Sequence, residues 1–518
     1  MIRSSGVAGT SLSLILFVGS TVAADAPPRY AGQAQQNSEE QGAQAAPQTP
    51  PPVSPRPGSG GGPPPPYTPV RWNEDYGYLR DPARRTDPFD PLKYIPLGDD
   101  PTFYLSLGGQ ARYRYELFNN NNFGAGPQDD TGYHLTRLLL HADLHAGEHL
   151  RGFLQLKSAM EDGRAGGPRP TDADEFDIQQ GFVDLKLPAM FLGDDASALT
   201  LRGGRQEMIY GAQRLIGPLD WANVRRTFDG GKAIIAFSKE HSLDLFWVRP
   251  VIFEREEFNV ADGETDFAGL YDTLTLPKVF SGGNSKLELY GLYLNRREGS
   301  AFPTEGSQEE ERYTLGTRFS ATPKPFDVDV ELDYQFGNYG GGDISAWAAA
   351  FEGGYTLADV PLTPRPFLGF DLASGDDDAG DGDLQTFNQL FPTGHPHLGY
   401  IDAIGRQNIM DLRGGLELTM LQDKPYVKKA TLRTEYHQFW RESDADAVYN
   451  AGGAVLRPPG ASDARSIGGE IDFLLNWQID RHLSAYFGYS HFFAGEFIEE
   501  TGPSGDIDFF YAAFQFTF

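Results

Sequence analysis

Long stretches of this chain alternate between apolar and polar residues with a period of two. The clearest lie at residues 103–117, 326–336 and 467–479. Because successive side chains of a strand point to opposite faces, each stretch predicts a β-strand with one apolar and one polar face. Soluble sheets usually have strands of roughly five or six residues, whereas these runs of about ten or more match strands that cross a bilayer at a tilt.

The same criterion finds about 18 segments between Phe103 and Phe518. Their connections alternate, roughly, between short turns such as residues 147–148 and long loops such as residues 374–407. Outer-membrane barrels have short periplasmic turns and long external loops, and a sheet in lipid has to close because an open edge leaves backbone groups unsatisfied. The sequence therefore predicts an all-β fold, a transmembrane antiparallel β-barrel of about 18 strands.

The last predicted strand ends the chain with alternating aromatic residues. Phe510, Phe514, Phe516 and the terminal Phe518 share one face. This ending is typical of the C-terminal insertion signal of bacterial outer-membrane proteins, whereas a soluble edge strand so rich in phenylalanine would aggregate in water. The predicted location is therefore the outer membrane of a Gram-negative cell.

The N-terminal residues predict export followed by a linker. An apolar run at residues 11–18 and small residues at 22–24 have the layout of a signal peptide, assigned to residues 1–24. Residues 25–87 are predicted to be a disordered, Pro/Gly-rich periplasmic tether, because they have too little aliphatic surface to form a core. Residues 88–518 are assigned to the barrel.

Composition excludes several classes of protein. The 518 residues carry a formal net charge of −29 and contain no cysteine. Without cysteine there is no disulfide scaffold, no thiolate zinc site and no thiol nucleophile, and the acid excess disfavours nucleic-acid binding. The chain has no serine-hydrolase, zinc-protease or phosphate-loop motif, so we predict that it is not an enzyme and has no catalytic residues.

A barrel of about 18 strands encloses a water-filled lumen, and the charges that face it decide which solutes pass. The strand at residues 327–333 is purely acidic in its charges, while the first five strands supply many cations. A cationic wall beside an acidic wall would create a transverse field that orients a charged solute. From alternation alone, the predicted lumen-facing arginines are Arg112, Arg114, Arg137, Arg151, Arg202, Arg318, Arg413, Arg433 and Arg441.

Motifs in order along the chain resemble those of the alginate export outer-membrane porins. Examples are Leu-Arg-Gly-Gly-Arg-Gln at 201–206, Asp-Trp-Ala-Asn-Val-Arg-Arg-Thr-Phe at 220–228, Tyr-His-Gln-Phe-Trp-Arg at 436–441 and Ile-Gly-Gly-Glu-Ile-Asp at 467–472. The resemblance covers about residues 88–518. It implies a monomeric barrel that passes a uronic-acid polymer through an electropositive constriction, with loops that act as gates.

The resemblance also implies pore-lining arginines by motif match, namely Arg205, Arg225, Arg226 and Arg441. Guanidinium groups suit such a polymer because they bind carboxylates in a bidentate geometry. Strict alternation points Arg205 toward lipid, so a β-bulge at residues 203–204 would be needed to turn it inward. The tether and the acidic strand at 327–333 depart from the pattern of the alginate exporters.

The loop at residues 374–407 is the longest candidate gate, and it contains an acidic run. Flexible carboxylates are ligands that Ca²⁺ accepts, but the terminal glutamate of an EF-hand is absent, and a solvated acidic loop is the simpler interpretation. We predict no cofactor, with calcium as the alternative. The candidate calcium ligands are Asp376, Asp377, Asp378, Asp381 and Asp383.

These patterns favour a channel that passes an alginate-like anionic polysaccharide from the periplasm to the cell surface. The first alternative is a general or anion-selective diffusion porin for small organic acids or sugars. The second is a closed barrel with a structural or surface-binding role. The expected partners are outer-membrane lipid, the anionic polysaccharide or a small anionic solute, and periplasmic export machinery; we expect a monomer that does not bind nucleic acid.

Overall fold

The computed structural model describes residues 67–188, 198–277, 284–378, 380–460 and 462–518. The predicted signal peptide and the first part of the predicted tether, up to residue 66, lie outside the described residues. No helix within the described ranges combines the length and the apolar character that crossing a membrane requires.

Eighteen long antiparallel strands of the described chain form one closed barrel. The predicted all-β transmembrane barrel is therefore confirmed. Numbered in chain order, the strands are β1 (Phe103–Asn119), β2 (Tyr133–Ala146), β3 (Leu150–Asp162), β4 (Asp174–Leu187), β5 (Ala198–Gln206), β6 (Phe228–Ala236), β7 (His241–Ile252), β8 (Thr265–Pro277), β9 (Asn284–Phe302), β10 (Gly306–Ala321), β11 (Phe326–Tyr339), β12 (Gly342–Tyr355), β13 (Arg365–Ala373), β14 (Ile409–Lys424), β15 (Val427–Trp440), β16 (Ser466–Gln478), β17 (Leu483–Ala494) and β18 (Ile507–Thr517).

Strand β1 closes the barrel, because it pairs with β2 on one side and with β18 on the other. In this seam Arg114 of β1 lies opposite Ala513 of β18. The two faces of the strand alternate as the sequence predicts: Arg114 is 2% exposed, whereas its neighbour Tyr113 is 43% exposed. Apolar side chains therefore face outward, where a barrel meets lipid, and charged side chains face the lumen.

The longest connections, residues 207–227, 374–408 and 441–465, lie at one end of the barrel, which identifies this end as extracellular and the other as periplasmic. Loop L3 (residues 207–227, between β5 and β6) and loop L7 (residues 374–408, between β13 and β14) fold back from the extracellular end into the lumen. They meet in a parallel bridge between Ile216 and Phe391. The main apolar core of the described chain therefore lies inside the barrel, around these loops.

The residues before β1 form a strap (residues 67–101) at the periplasmic end. The strap contains short 3-10 helices at Arg71–Asn73, Gly77–Arg80 and Pro82–Arg84, and one turn of α-helix at Asp90–Lys93. Asp and Pro begin two of these turns, at residues 81–82 and 90–91, and aromatic side chains supply much of the buried surface.

Trp72 anchors the strap inside the barrel. Its ring centroid lies 6.4 Å from that of Phe153 and 6.2 Å from that of Phe182, and both phenylalanines face the lumen. Residues 67–87 fall within the predicted tether, but the structure shows them folded against the barrel. The predicted boundary at residue 87 is therefore too late. Aromatic residues such as Trp72 give residues 67–87 a buried face, which a disordered tether does not have.

Candidate functional site

The lumen wall formed by β1 and β2 holds loop L3 by its main chain. Arg112 of β1 donates hydrogen bonds to the carbonyl oxygens of Asp220 (2.9 Å), Trp221 (2.9 Å) and Ala222 (3.0 Å). Arg137 of β2 donates to the carbonyl oxygens of Asp220 (3.0 Å) and Ala222 (3.1 Å). Two guanidinium groups therefore converge on one three-residue stretch of L3.

Arg114 fixes the side of L3 that carries Trp221. Its guanidinium lies 3.5 Å from the centroid of the Trp221 ring, donates to the Trp221 carbonyl oxygen at 2.6 Å and pairs with Glu116 at 2.6 Å. A cation above an indole ring is the most favourable of the cation–π pairs. On other sides, Trp221 contacts Tyr511 with 5.1 Å between ring centroids and His395 of L7 with 5.2 Å.

The carboxylate of Asp220 binds two guanidinium groups, that of Arg137 and that of Arg225. Its Oδ1 lies 2.7 Å from Nη2 of Arg137 and 2.9 Å from Nη1 of Arg225. Burial by itself raises the pKa of this carboxyl, but the charges of Arg225, Arg137 and Arg112 outweigh burial and lower the pKa to about 2. Asp220 is therefore ionised at physiological pH. Arg225 also pairs with Glu207 at 2.6 Å, within L3 itself.

Arg226 joins L3 to L7. Its Nη1 donates to the carbonyl oxygens of Gly217 (3.2 Å) and Pro392 (2.8 Å). Burial, helped by the nearby charge of Arg296, lowers the pKa of Arg226 to about 10, so the side chain remains cationic at neutral pH. We call Arg112, Arg114, Arg137, Arg225 and Arg226 the arginine cluster.

The predicted acidic strand is β11, and its carboxylates face the lumen as expected. Asp329 and Glu331 are paired with basic groups: Arg214 of L3 lies 2.7 Å from both, and Arg318 contacts Asp329. These two carboxylates therefore have cationic partners close at hand, and a transverse field across the lumen stays a prediction.

Loop L7 is held by the opposite wall. Arg413 of β14 pairs with Glu352 at 3.0 Å and donates to the carbonyl oxygen of His397. The amide of Ile401 donates to Glu470 of β16 at 2.8 Å. These contacts fix the segment of L7 that packs against L3.

Three further arginines predicted from alternation also face the lumen. Arg433 pairs with Glu435 at 2.8 Å and Arg202 with Asp184 at 2.7 Å. Arg151 pairs with Asp143 at 2.7 Å. Arg151 also donates to the carbonyl oxygen of Trp72 at 2.6 Å, so that it binds the strap.

The structure corrects the prediction for Arg205. The register between β5 and β6 is continuous through residues 203–204, so the bulge that would turn this side chain inward is not formed. Arg205 lies on the face opposite to Arg202 and pairs with Asp229 at 2.8 Å, and it donates to the carbonyl oxygen of Asn259 at 2.9 Å. Strict alternation was the better guide here than the family motif.

The structure also corrects the prediction for Arg441. This side chain is fully buried in the extracellular loop L8 (residues 441–465, between β15 and β16) and not in the lumen wall. Its guanidinium donates to the carbonyl oxygens of Ala464 (2.6 Å), Ser462 (2.8 Å) and Asp444 (2.9 Å), and it lies 3.9 Å from the centroid of the Phe497 ring. Arg441 therefore organises an external loop.

The acidic run of L7 divides into buried and exposed residues. Asp376 is buried and accepts a hydrogen bond from the Thr304 hydroxyl at 3.0 Å. Burial raises its pKa. Within the described ranges no group of three or more His, Asp or Glu side chains is arranged to hold a metal ion. The absence of a cofactor stays the prediction, with calcium binding as its alternative. The exposed members of the run are Asp377, Asp378, Asp381 and Asp383.

Sequence reasoning missed several residues of this site. Asp220 and Trp221 stood inside a motif that was recognised, but nothing in the motif shows that their carbonyl groups are the atoms bound. Arg214 lies in L3, where no periodicity indicates the direction of a side chain. Trp72 lies in the segment predicted to be a tether. A tryptophan in such a segment is unusual, and this is the feature of the sequence that indicates a buried contact there.

Comparison with proteins of known structure supports the barrel fold. No curated protein sequence matches this chain. Among solved structures, OpdK of Pseudomonas aeruginosa with vanillate is 10% identical, with a TM-score of 0.52 over 80% of this chain and 98% of that chain. OccD3 of the same organism is 12% identical, with a TM-score of 0.52 over 82% and 92% of the two chains.

A third solved structure is OccK2 of Pseudomonas aeruginosa in complex with glucuronate. It is 12% identical, with a TM-score of 0.50 over 80% of this chain and 97% of that chain. At such identities these likenesses show the fold, that of an outer-membrane porin. The family model for alginate export matches residues 103–511, which is nearly the whole barrel. The chain therefore belongs to the alginate export family of outer-membrane β-barrel channels.

Proposed function

We propose that this outer-membrane channel passes an anionic polysaccharide, an alginate-like uronate polymer, from the periplasm to the cell surface. Family and fold together support a channel rather than an enzyme. The polymer and the direction of transport are the parts that we propose.

One observation carries the proposal: in two members of the arginine cluster, Arg112 and Arg226, the guanidinium group donates its hydrogen bonds to main-chain carbonyl oxygens. Among the ion pairs of the described residues, none involves Arg112 or Arg226; both bind the carbonyl oxygens of L3 or L7. A guanidinium group binds a carboxylate more strongly than a neutral carbonyl, because the two opposite charges attract each other and the carboxylate can accept two parallel hydrogen bonds. A carboxylate that reaches these groups therefore has an energetic advantage over the carbonyl that it replaces.

A uronate polymer fits this arrangement because it presents one carboxylate on every sugar. Five guanidinium groups lie around one short stretch of L3, so that successive carboxylates can move between similar sites. Arginine is suited to bind these carboxylates, because its planar guanidinium group donates two parallel hydrogen bonds to a carboxylate and stays charged.

Reconstituted channels test the proposal. In planar bilayers, oligouronates are expected to block the ionic current and to cross to the other side, whereas neutral oligosaccharides of equal length are expected to do neither. The double variant Arg112→Gln, Arg226→Gln is expected to weaken block by about tenfold or more, since each lost charge-assisted bond costs roughly 1.5–3 kcal/mol.

Arg202→Gln is the matched control for that double variant. Arg202 also faces the lumen, but it pairs with Asp184 of the neighbouring strand and not with a loop. Equal passage of neutral and acidic oligosaccharides through the unaltered channel would refute the proposed substrate class.

The second candidate is a diffusion porin for small organic acids. Two barrels of the same fold have structures with vanillate and with glucuronate, and both compounds are small carboxylates. Rapid passage of monomeric uronate, with no passage of oligomers, would favour this candidate.

The proposal also includes a monomeric channel that receives its polymer from periplasmic export machinery. The mass of the detergent-solubilised protein tests the first part. Cross-linking from the strap, which lies at the periplasmic end, tests the second.

A further inference from the structure

Asp220 places a carboxylate of the protein itself in the arginine cluster. Its Oδ1 lies 2.7 Å from Arg137 and 2.9 Å from Arg225. The side chain of Asp220 is 15% exposed, whereas those of Arg137 and Arg225 are 1% and 4% exposed. The carboxylate therefore covers the two guanidinium groups on the side from which a solute would reach them.

The position of Asp220 is enforced by the loop around it. Arg112 and Arg137 hold the main chain on both sides of the carboxylate through the carbonyl oxygens of residues 220–222. The stacking of Arg114 on Trp221 fixes the next residue. A carboxylate tethered in this way stays near its partners even when its ion pairs break.

We infer that Asp220 is an internal competitor for the carboxylates of the substrate, and that it thereby sets a minimum chain length for anions that use the channel. This inference rests on the proposed function, since it concerns the arginine cluster as a site for uronate carboxylates. Asp220 would thus be a specificity-determining residue in addition to the arginines that line the lumen.

The physical reason is the difference between one carboxylate and several. A tethered group competes at an effective concentration of the order of millimolar, so that a free anion with one carboxylate has to exceed this level to displace Asp220. An oligouronate that binds Arg112 or Arg226 with one carboxylate holds the next ones close to Arg137 and Arg225. Such linked binding can raise avidity by about 10²–10⁴ without any new kind of contact.

Removing the charge of Asp220 is the direct test. The concentrations of mono-, di-, tetra- and hexa-uronate that block half of the current would be measured for the unaltered channel, for Asp220→Asn and for Asp184→Asn. Asp184→Asn is the matched control, because Asp184 pairs with Arg202 at 2.7 Å in the same lumen but lies in the wall and not in L3.

The unaltered channel and Asp184→Asn are expected to discriminate strongly by length, with half-blocking concentrations that fall by at least about tenfold from monomer to hexamer. Asp220→Asn is expected to lower the half-blocking concentration of every uronate, the monomer included, by about tenfold, so that shorter chains block at a given concentration. Asp220→Glu, which keeps the charge, is expected to keep the half-blocking concentrations of the unaltered channel. If Asp220→Asn does not fold, Asp220→Ser gives the same comparison.

The outcomes separate this inference from the function on which it rests. Equal half-blocking concentrations in Asp220→Asn and the unaltered channel, for the monomer and for the oligomers, overturn the competitor role and leave the proposed function standing. Absence of block by every oligouronate in the unaltered channel overturns the proposed function itself.

Discussion

Arg71 of the strap donates a hydrogen bond from Nη2 to the main-chain oxygen of Phe518, the last residue of the chain, at 2.9 Å. Its Nη1 donates to the carbonyl oxygen of Gly109 in β1 at 3.2 Å. One buried side chain thus joins the first strand of the barrel to the end of the last. Phe89 adds to this contact, since its ring lies 5.2 Å from that of Phe518.

Arg71→Ala is expected to weaken the seam between β1 and β18. The variant loses two hydrogen bonds from a buried cation and its ion pair with Glu74, and bonds of this type contribute roughly 1.5–3 kcal/mol each. The temperature at which the folded barrel loses its compact migration in a detergent gel should fall. Arg80→Ala, an exposed residue of the same strap, serves as the control and should leave that temperature unchanged.

Trp72→Ala is expected to raise the conductance of the channel. The indole ring lies between the lumen and the wall residues Phe153 and Phe182, so its removal opens space at the periplasmic end. Single-channel recordings measure the effect. Trp72→Phe keeps an aromatic ring in place and should restore most of the original conductance; an unchanged conductance in Trp72→Ala would show that the strap does not narrow the entrance.

Lys93 makes the stability of the strap depend on pH. Burial, together with the charge of Arg71, lowers its pKa from 10.5 to about 7. Between these values the unfolded chain holds a proton that the folded chain does not, so the free energy of unfolding rises as pH increases from about 7 to about 10. The slope is at most about 1.4 kcal/mol per pH unit.

Urea titrations across that range check the Lys93 prediction. Lys93→Met removes the titrating group and should flatten the rise in stability. A variant with the same slope as the unaltered protein would show that another group titrates. The hydrogen bond from Lys93 to the Leu107 carbonyl oxygen survives deprotonation, because a neutral amine still donates.

Arg226→Glu is expected to lower anion selectivity, whereas Arg441→Glu is not. Arg226 lies between L3 and L7 in the lumen, while Arg441 is enclosed by the carbonyl groups of L8. Reversal potentials under a salt gradient measure selectivity. For Arg441→Glu the expected change is faster proteolysis of L8, because the introduced carboxylate would face carbonyl oxygens and have no hydrogen-bond donor. A shifted reversal potential in this variant would show that Arg441 lines the lumen.

Local pattern was sufficient to predict the barrel and the direction of most wall side chains. Arg112, Arg114 and Arg137 face inward because a strand has a period of two and because lipid accepts only the apolar face. The same rule placed Arg205 on the outer face, against the motif match. The direction of side chains in long alternating runs can be predicted because every strand of the barrel has lipid on one face and the lumen on the other.

The sequence by itself determined the closed sheet, its strands and the membrane in which it lies, since these follow from backbone pairing and from the contrast between lipid and water. Only the tertiary structure decided what fills the lumen: L3 and L7 folded inward, the carbonyl groups of residues 220–222 on Arg112, and Trp72 against the wall. Loops and the strap have no repeating pattern, and their contacts with the wall join residues that are far apart in the sequence, as in the hydrogen bond from Arg112 to Ala222. Such contacts depend on the shape that the finished barrel provides.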